Sequence, residues 1–358
     1  MRAADPPCRW IPAALLLATL AGTARPQSPP PGAERVDEAI QRGIAFLIGQ
    51  QKDSGMVSDS GNPNAMTALA LLAASAVGHT AADPTPAGGM IRKGLEYLLA
   101  DARQRDNGYY GGDGSRMYGH GIVTLTLAEL LGMGTDDETD RRIRKKLERA
   151  LQLILWSQDR KNADDPNNLG GWRYEPDSCD SDLSVTIWHL MALRAAHNAS
   201  VDVPKTAIET AVQYLRRTYR PDTRGRERVC GACSYQPGQS PSYASAAAGL
   251  LAMQVCGLYD APEVRGAADW LKARRLDWDD RFFLYGTYYY AQGMYQRGGE
   301  YADHARREVE TILLPKQQDD GSWPAADGQE RHAGRVYSTS MAILSLAVNH
   351  HYLPIYQR

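Results

Sequence analysis

Two carboxylates one residue apart, Asp180-Ser181-Asp182, stand immediately before an apolar segment that opens at Leu183. A carboxyl group taken into apolar surroundings is held protonated and becomes a competent acid. Asp and Ser also favour the position that caps a helix, which accounts for one acid at a helix start. A second acid at Asp182 falls in the first turn, where the helix dipole also welcomes it. Comparable apolar segments elsewhere open with Asn64 and Met66, Tyr118 and His120, Tyr243, Tyr285 and Tyr289, and Tyr337. Aromatic faces stabilise a cation, so tyrosines gathered around an acid can shield positive charge. Tyrosine at a helix start is equally often core packing. His120 alone reads as a packed or surface histidine.

These residues gain meaning from the elements that carry them. The chain repeats a unit of amphipathic helix, Gly-rich turn bearing an aromatic, and a second, more apolar helix. The units start near Val36, Ile91, Asp140, Thr206, Glu263 and Ala302, and their second helices start near Ala65, Gly119, Ser184, Tyr243, Tyr285 and Ser338. Each first helix keeps its apolar residues on one stripe, as Ile143, Leu147, Ala150, Leu151 and Ile154 do. Each second helix is apolar on nearly every side, so it must be covered on every side. The second helices therefore belong inside and the first helices outside. Hairpins that cannot bury their own apolar faces must pack on their neighbours. Closure removes the exposed ends that an open superhelix must cap. The expected fold is all-α, an (α/α)6 toroid of six helical hairpins over residues 34–358. In such a ring every inner helix starts at one mouth of a central cavity.

Composition restricts the function classes. Among 358 residues, Lys+Arg 40 against Asp+Glu 42 gives a net charge of −2. That balance argues against a general nucleic-acid or anionic-membrane binder. Tyr 19 against Phe 3 suits rings that sit half in a cavity and half against water. Arg2 and Arg9 flank an apolar run from Ile11 to Ala21 that ends in small residues, the pattern of a secretory signal over residues 1–24. A Pro-rich linker over 25–33 follows, so an exported, periplasmic or extracellular protein is expected. In an oxidising compartment Cys230 and Cys233 can form a local disulfide, with free thiols as the alternative. No second ligand pair stands at zinc-finger spacing, so no metal is expected.

The repeats resemble the prenyltransferase and squalene-cyclase (squalene oxidase) repeat family. Its signature is a basic-small pair, an aromatic-aliphatic step, a Gln and then Gly-x-Trp. Gln317, Gln318, Gly321 and Trp323 match it in the sixth unit. Arg42, Gly43, Phe46, Leu47 and Gln50 match it in the first, with Met56 at the Trp position, and Gly171 and Trp172 match it in the third. The resemblance implies an α/α toroid and, for the enzymes, an isoprenoid-like substrate. In class II terpene cyclases an Asp-x-Asp-Asp motif opens an inner helix and its middle Asp protonates an alkene. By that match Asp182 takes the place of the proton donor and Asp180 that of its partner, while Leu183 replaces the last acid. The Asp-x-Cys of zinc-binding prenyltransferases is not reproduced, since Cys179 precedes Asp180.

Three functions follow as expectations. The first is an exported toroid that holds an isoprenoid-like or other lipid ligand, without cofactor, with Tyr118, His120, Trp172, Tyr243, Tyr285, Tyr289 and Tyr337 as ligand-binding residues. The second is a terpene cyclase-like isomerase with Asp182 as general acid. The third is an interaction module meeting a membrane surface or envelope protein. A glycosidase would need two carboxylates flanking a bond, which Asp180 and Asp182 are too close in sequence to provide.

Overall fold

The computed structural model describes residues 33–161, 164–222, 230–326, 328–350 and 352–356. The expected signal segment and all of the linker but Ala33 lie outside the described residues. The outer helices are α1 (Ala33–Gly49), α3 (Pro86–Leu99), α5 (Asp137–Gln158), α7 (Lys205–Thr218), α9 (Pro262–Lys272) and α11 (Gly299–Leu313). The inner helices are α2 (Pro63–Ala76), α4 (Arg116–Leu130), α6 (Leu183–Asn198), α8 (Tyr243–Val255), α10 (Phe283–Arg297) and α13 (Gly334–Leu346). A one-turn helix, α12 (Gly328–Arg331), precedes α13. Each inner helix packs on the next, and α13 packs on α2, so six hairpins close into a toroid. Every residue of α8 is buried, whereas α7 buries only Ala207, Ala211, Tyr214, Leu215 and Thr218. This is the division between a helix apolar all round and one with a single apolar stripe.

Four of the six joints between units share one device. The side-chain amide of Gln317 donates to Gly321 O of its own turn (2.9 Å) and to Ala39 O of the first outer helix (2.8 Å). Gln51 does the same to Gly55 O and Met90 O, Gln104 to Gly108 O and Lys146 O, and Gln158 to Gly170 O and Ala207 O. The glycine of each turn has φ between +85° and +90°. Each lies against a main-chain carbonyl one helical turn beyond the Gln acceptor, namely those of Lys93, Arg149, Thr210 and Arg42. The Gln317 clamp joins the last unit to the first. Gly43 completes that joint, because a Cβ there would lie 2.9 Å from the Trp323 ring.

This geometry corrects the register read from sequence. The glycine of the third turn is Gly170, not Gly171, and the residue two beyond it is Trp172. By the same count the first unit places Val57, not Met56, where the sixth has Trp323. The main-chain N–H of Val57, Trp172 and Trp323 donates to Thr67, Thr186 and Thr339 on the following inner helix.

The fourth joint departs from this device. A short hairpin of β1 (Tyr219–Asp222) and β2 (Cys230–Cys233) takes the place of the clamp and packs on α9. Cys179, Cys233 and Cys256 are free thiols. Cys230 and Cys233 lie three apart on an extended strand, so their side chains leave on opposite faces and, of the two alternatives, no local disulfide joins them.

Four inner helices are entered through a left-handed residue: Asn62, Arg116, Phe282 and Gly334, with φ from +56° to +85°. Only the last is glycine. A bulky residue there carries of order 1 kcal/mol of strain. Phe282 is also exposed (38%). Phe282→Gly is therefore expected to raise stability by about 1 kcal/mol, seen as a higher urea midpoint with unchanged slope. A lowered midpoint would show that the Phe282 ring contributes more than its backbone costs.

Candidate functional site

The inner helices start at one mouth, and five of them are capped from the next unit round the ring, while α8 is closed by its own Ser242–Ser245 capping box. Asp113 accepts from Asn64 N on α2, Asp59 from Arg335 N on α13, and Glu330 of α12 from Leu284 N and Tyr285 N on α10. Carbonyls do the same work for α4 and α6, where Met117 N donates to Tyr174 O and Leu183 N to Tyr235 O. Most acids of the mouth are therefore committed to helix ends, where the dipole favours them.

Asp182 differs in part. It is the N-cap of α6 and is fully buried. Its Oδ1 accepts from Val185 N (2.9 Å) and from the Ser184 hydroxyl (2.6 Å). Its main-chain N–H donates to Trp172 O, which ties the aromatic turn to the helix start. Because Ser184 Oγ donates to Asp182, the Tyr118 phenol donates to Ser184 and forms a hydroxyl chain ending on the carboxylate. The Tyr285 phenol donates to Ser184 O (2.8 Å). Asp182 Oδ2 has no hydrogen-bond partner among the described residues and lies 3.4 Å from Arg173 Nη1, which has none either. Burial pushes the Asp182 carboxyl above the ordinary carboxylate range, against the pull of Ser184, Val185 and Arg173.

Arg173 lies between two phenols, with its guanidinium carbon 4.6 Å from the centre of the Tyr174 ring and 5.6 Å from that of Tyr235. Its Nε stands 3.3 Å from Asp180 Oδ2. The Tyr174 and Tyr235 hydroxyls bond each other. Tyr118, Tyr174, Tyr235, Tyr285 and Tyr337 are all half-buried at this mouth. Burial raises the Tyr118, Tyr285 and Tyr337 phenols well above the usual tyrosine range, so they remain neutral. Lys161 donates to Ser178 O and Asp180 O, and burial pulls its amine down to about 8.

Asp180, Asp182, Tyr118, Tyr285 and Tyr337 thus come together at the mouth. The other residues singled out from sequence lie elsewhere. Tyr243 is buried between α8 and α10, with its hydroxyl on Thr287 Oγ1 (3.1 Å). His120 is fully buried. Tyr110 N donates to its Nδ1, and its Nε2 meets Ala150 O (3.1 Å). It takes the place that Thr67, Thr186 and Thr339 hold in other units, and burial lowers its pKa to about 4. Trp172 is sealed, with its indole N–H on Ile154 O, as that of Trp323 is on Leu313 O. Tyr289 is buried one turn below Tyr285, against Trp188. Tyr174, Tyr235 and Arg173 were not singled out as ligand residues. The adjacency of Arg173-Tyr174 to Trp172 was the available signal.

The centre of the ring is filled at mid-depth. Trp188 of α6 reaches across to stack on Tyr288 of α10 (5.8 Å), and the Tyr288 hydroxyl meets Met191 Sδ. All four residues Trp188, Met191, Tyr288 and Tyr289 are buried. The expected open apolar hollow is thus occupied by side chains there, because aromatic residues on non-adjacent inner helices are long enough to meet. At the opposite end the C-terminal residues Leu353 and Ile355 are buried against the ring, with Ile355 N donating to Glu129 Oε2.

No family model matches the chain, and no curated protein matches it. Solved structures do. A single-substitution variant of a type II terpene cyclase, MstE from Scytonema, solved with its substrate geranylgeranyl dihydroxybenzoate, is 16% identical over 89% of this chain and 98% of its own, with a TM-score of 0.55. A cellobiose 2-epimerase from Bacillus thermoamylovorans is 12% identical over 88% and 99%, with a TM-score of 0.58. A wild-type glycosidase is 13% identical over 90% and 98%, with a TM-score of 0.53. These are α/α toroids of the architecture related to squalene-cyclase and prenyltransferase-repeat proteins, and that architecture is the fold of this chain. At such identities the likeness extends to fold alone.

Proposed function

We propose that this protein binds an isoprenoid-like lipid at the tyrosine mouth around Asp182 and does not cyclise it. The observation that carries this reading is the state of the Asp182 carboxyl. One oxygen is spent on capping α6 and the other is directed at a guanidinium. An alkene-protonating acid must present its proton to an apolar chain, and a proton on Oδ2 would meet Arg173 instead. The half-buried phenols offer apolar faces with polar tips, which suits a lipid entering from the mouth. That MstE was solved with a geranylgeranyl substrate supports an isoprenoid-like ligand on this fold. Export follows from the reading of residues 1–24 as a signal, and places the site in the cell envelope or outside the cell.

Native mass spectrometry of gently extracted protein is expected to show a retained apolar ligand, and incubation with squalene and shorter polyprenyl substrates is expected to leave them unchanged. A cyclised product that disappears in Asp182→Asn would overturn the non-catalytic half of the proposal. The filled axis favours one second reading, a module that docks a protein partner on its mouth. A chain that neither retains nor takes up any lipid would support that reading over the first.

A further inference from the structure

The end of the ring opposite the mouth is crossed by a short segment of chain. His350 Nε2 stands 3.3 Å from Asp37 Oδ1 on α1. Beyond it the Tyr352 ring, 54% exposed, lies over Gly78 at the end of α2. Gly78 has φ +92°, and a Cβ on it would lie 2.9 Å from that ring, so the glycine makes the room. Leu353 and Ile355 are then buried, and Ile355 N donates to Glu129 Oε2 at the end of α4 (3.2 Å). The turn that begins at Pro354 packs on α6. What fastens the segment are the Leu353 and Ile355 side chains, the Ile355 hydrogen bond and the partly exposed His350–Asp37 contact.

The acceptor beneath the segment bears on its role. Glu129 is buried, and burial pushes its carboxyl up to about 8. A permanent plug gains nothing from an acidic acceptor, since an amide accepts the same bond with no proton to hold. A carboxyl suits a surface that is also uncovered, where it is hydrated and charged. We propose that the slot around Glu129 is a docking site for an apolar peptide segment, and that residues 352–355 occupy it in this structure as a displaceable strap. The slot takes two aliphatic side chains two residues apart, with the main-chain N–H of the second donated to Glu129. A segment with a carboxylate at either place would bring like charge or unpaired charge into it. The packed Trp188 and Tyr288 rings separate this slot from the mouth, so it does not depend on what the mouth binds.

Two measurements on the full chain test the strap. In the parent, hydrogen exchange followed by mass spectrometry is expected to show residues 352–356 exchanging about 100-fold or more faster than the core of α4, because the strap opens while the ring stays closed. In Ile355→Asp the strap is expected to leave the slot, since a carboxylate replaces the aliphatic side chain beside Glu129. That variant should bind a synthetic peptide of residues 350–358 at pH 6 with a Kd of about 100 μM or tighter, read by fluorescence anisotropy. The parent, its slot filled, should bind the same peptide about ten-fold or more weakly. A peptide that itself carries Ile355→Asp should bind neither chain. Exchange of residues 352–356 only together with α4 would overturn the proposal, because the segment would then be a permanent part of the fold. An Ile355→Asp chain that loses its helical circular dichroism would overturn it for the same reason. So would a folded Ile355→Asp chain that binds the peptide no better than the parent does.

Discussion

Gly321→Ala is expected to destabilise the fold by about 3–5 kcal/mol, against about 1 kcal/mol for Gly257→Ala. Both glycines have positive φ, +85° and +83°. A methyl group at either therefore carries the strain of a left-handed alanine, close to 1 kcal/mol. The difference lies in what the methyl meets. A Cβ at Gly257 has nothing within 4 Å, whereas one at Gly321 would lie 2.3 Å from Arg42 O. That carbonyl cannot retreat cheaply. It belongs to α1 one turn beyond Ala39, whose own carbonyl is held by Gln317, and the Arg42 guanidinium is fastened to Gln318 O (2.7 Å). The joint is also where the last unit meets the first, so loosening it opens the ring and exposes the inner faces of α2 and α13. Urea unfolding followed by circular dichroism compares the two variants directly. Equal losses in both would show that the close approach of turn and helix does not hold the ring shut.

The same joints show how much of the architecture was legible. Gln317, Gly321 and Trp323 could be read because they act within one turn, where covalent spacing sets geometry. Their partners Ala39 and Arg42 could be anticipated only as a basic-small pair awaiting a neighbour. The second unit carries the same clamp, Gln104 and Gly108, but has Tyr110 where the third and sixth have Trp, and His120 where the first, third and sixth have Thr, so the histidine grouped with the ligand residues is a packed main-chain bond acceptor. Trp172 was ambiguous until Trp323 was seen to make the same indole bond, which marks a structural role common to the repeat.

The tyrosines were decided by helix phase. Tyr118 and Tyr285 stand third in their helices and reach the mouth, whereas Tyr243 stands first in α8. Two residues are about 200° of rotation on an α-helix, so Tyr243 turns toward α10 instead. Sequence pattern places a helix start no better than that interval, and so could not separate the two groups. The filling of the axis was illegible for a different reason. It depends on Trp188 and Tyr288 meeting across helices that are not neighbours in the ring.

Glu129 should make the protein lose stability as pH rises from about 4.5 to 8, on the order of 3–5 kcal/mol in all. It is buried near the C-terminal end of α4, where the helix dipole also disfavours a negative charge. Burial pushes its carboxyl up to about 8, with only the Ile355 N–H opposing the shift. Between the unfolded and folded values the folded chain holds a proton that the unfolded chain has released. Folding is therefore favoured fully below about 4.5, and the advantage is gone once the folded carboxyl ionises above 8. The histidines act with the opposite sign at lower pH. Burial holds His120 at about 4 and His189 at about 3, so below 6.5 the unfolded chain takes up protons that the folded chain refuses. Stability therefore falls on both sides of a maximum near neutrality. Glu129→Gln keeps the shape and a group able to accept from Ile355 N while removing the charge. Chemical denaturation at pH 5, 7 and 9 should show the variant close to the parent at pH 5 and several kcal/mol more stable at pH 9, with the acid limb unchanged. Parallel curves for the two proteins across that range would mean that Glu129 ionises without cost, and that the C-terminal segment covering it opens to water as the pH rises.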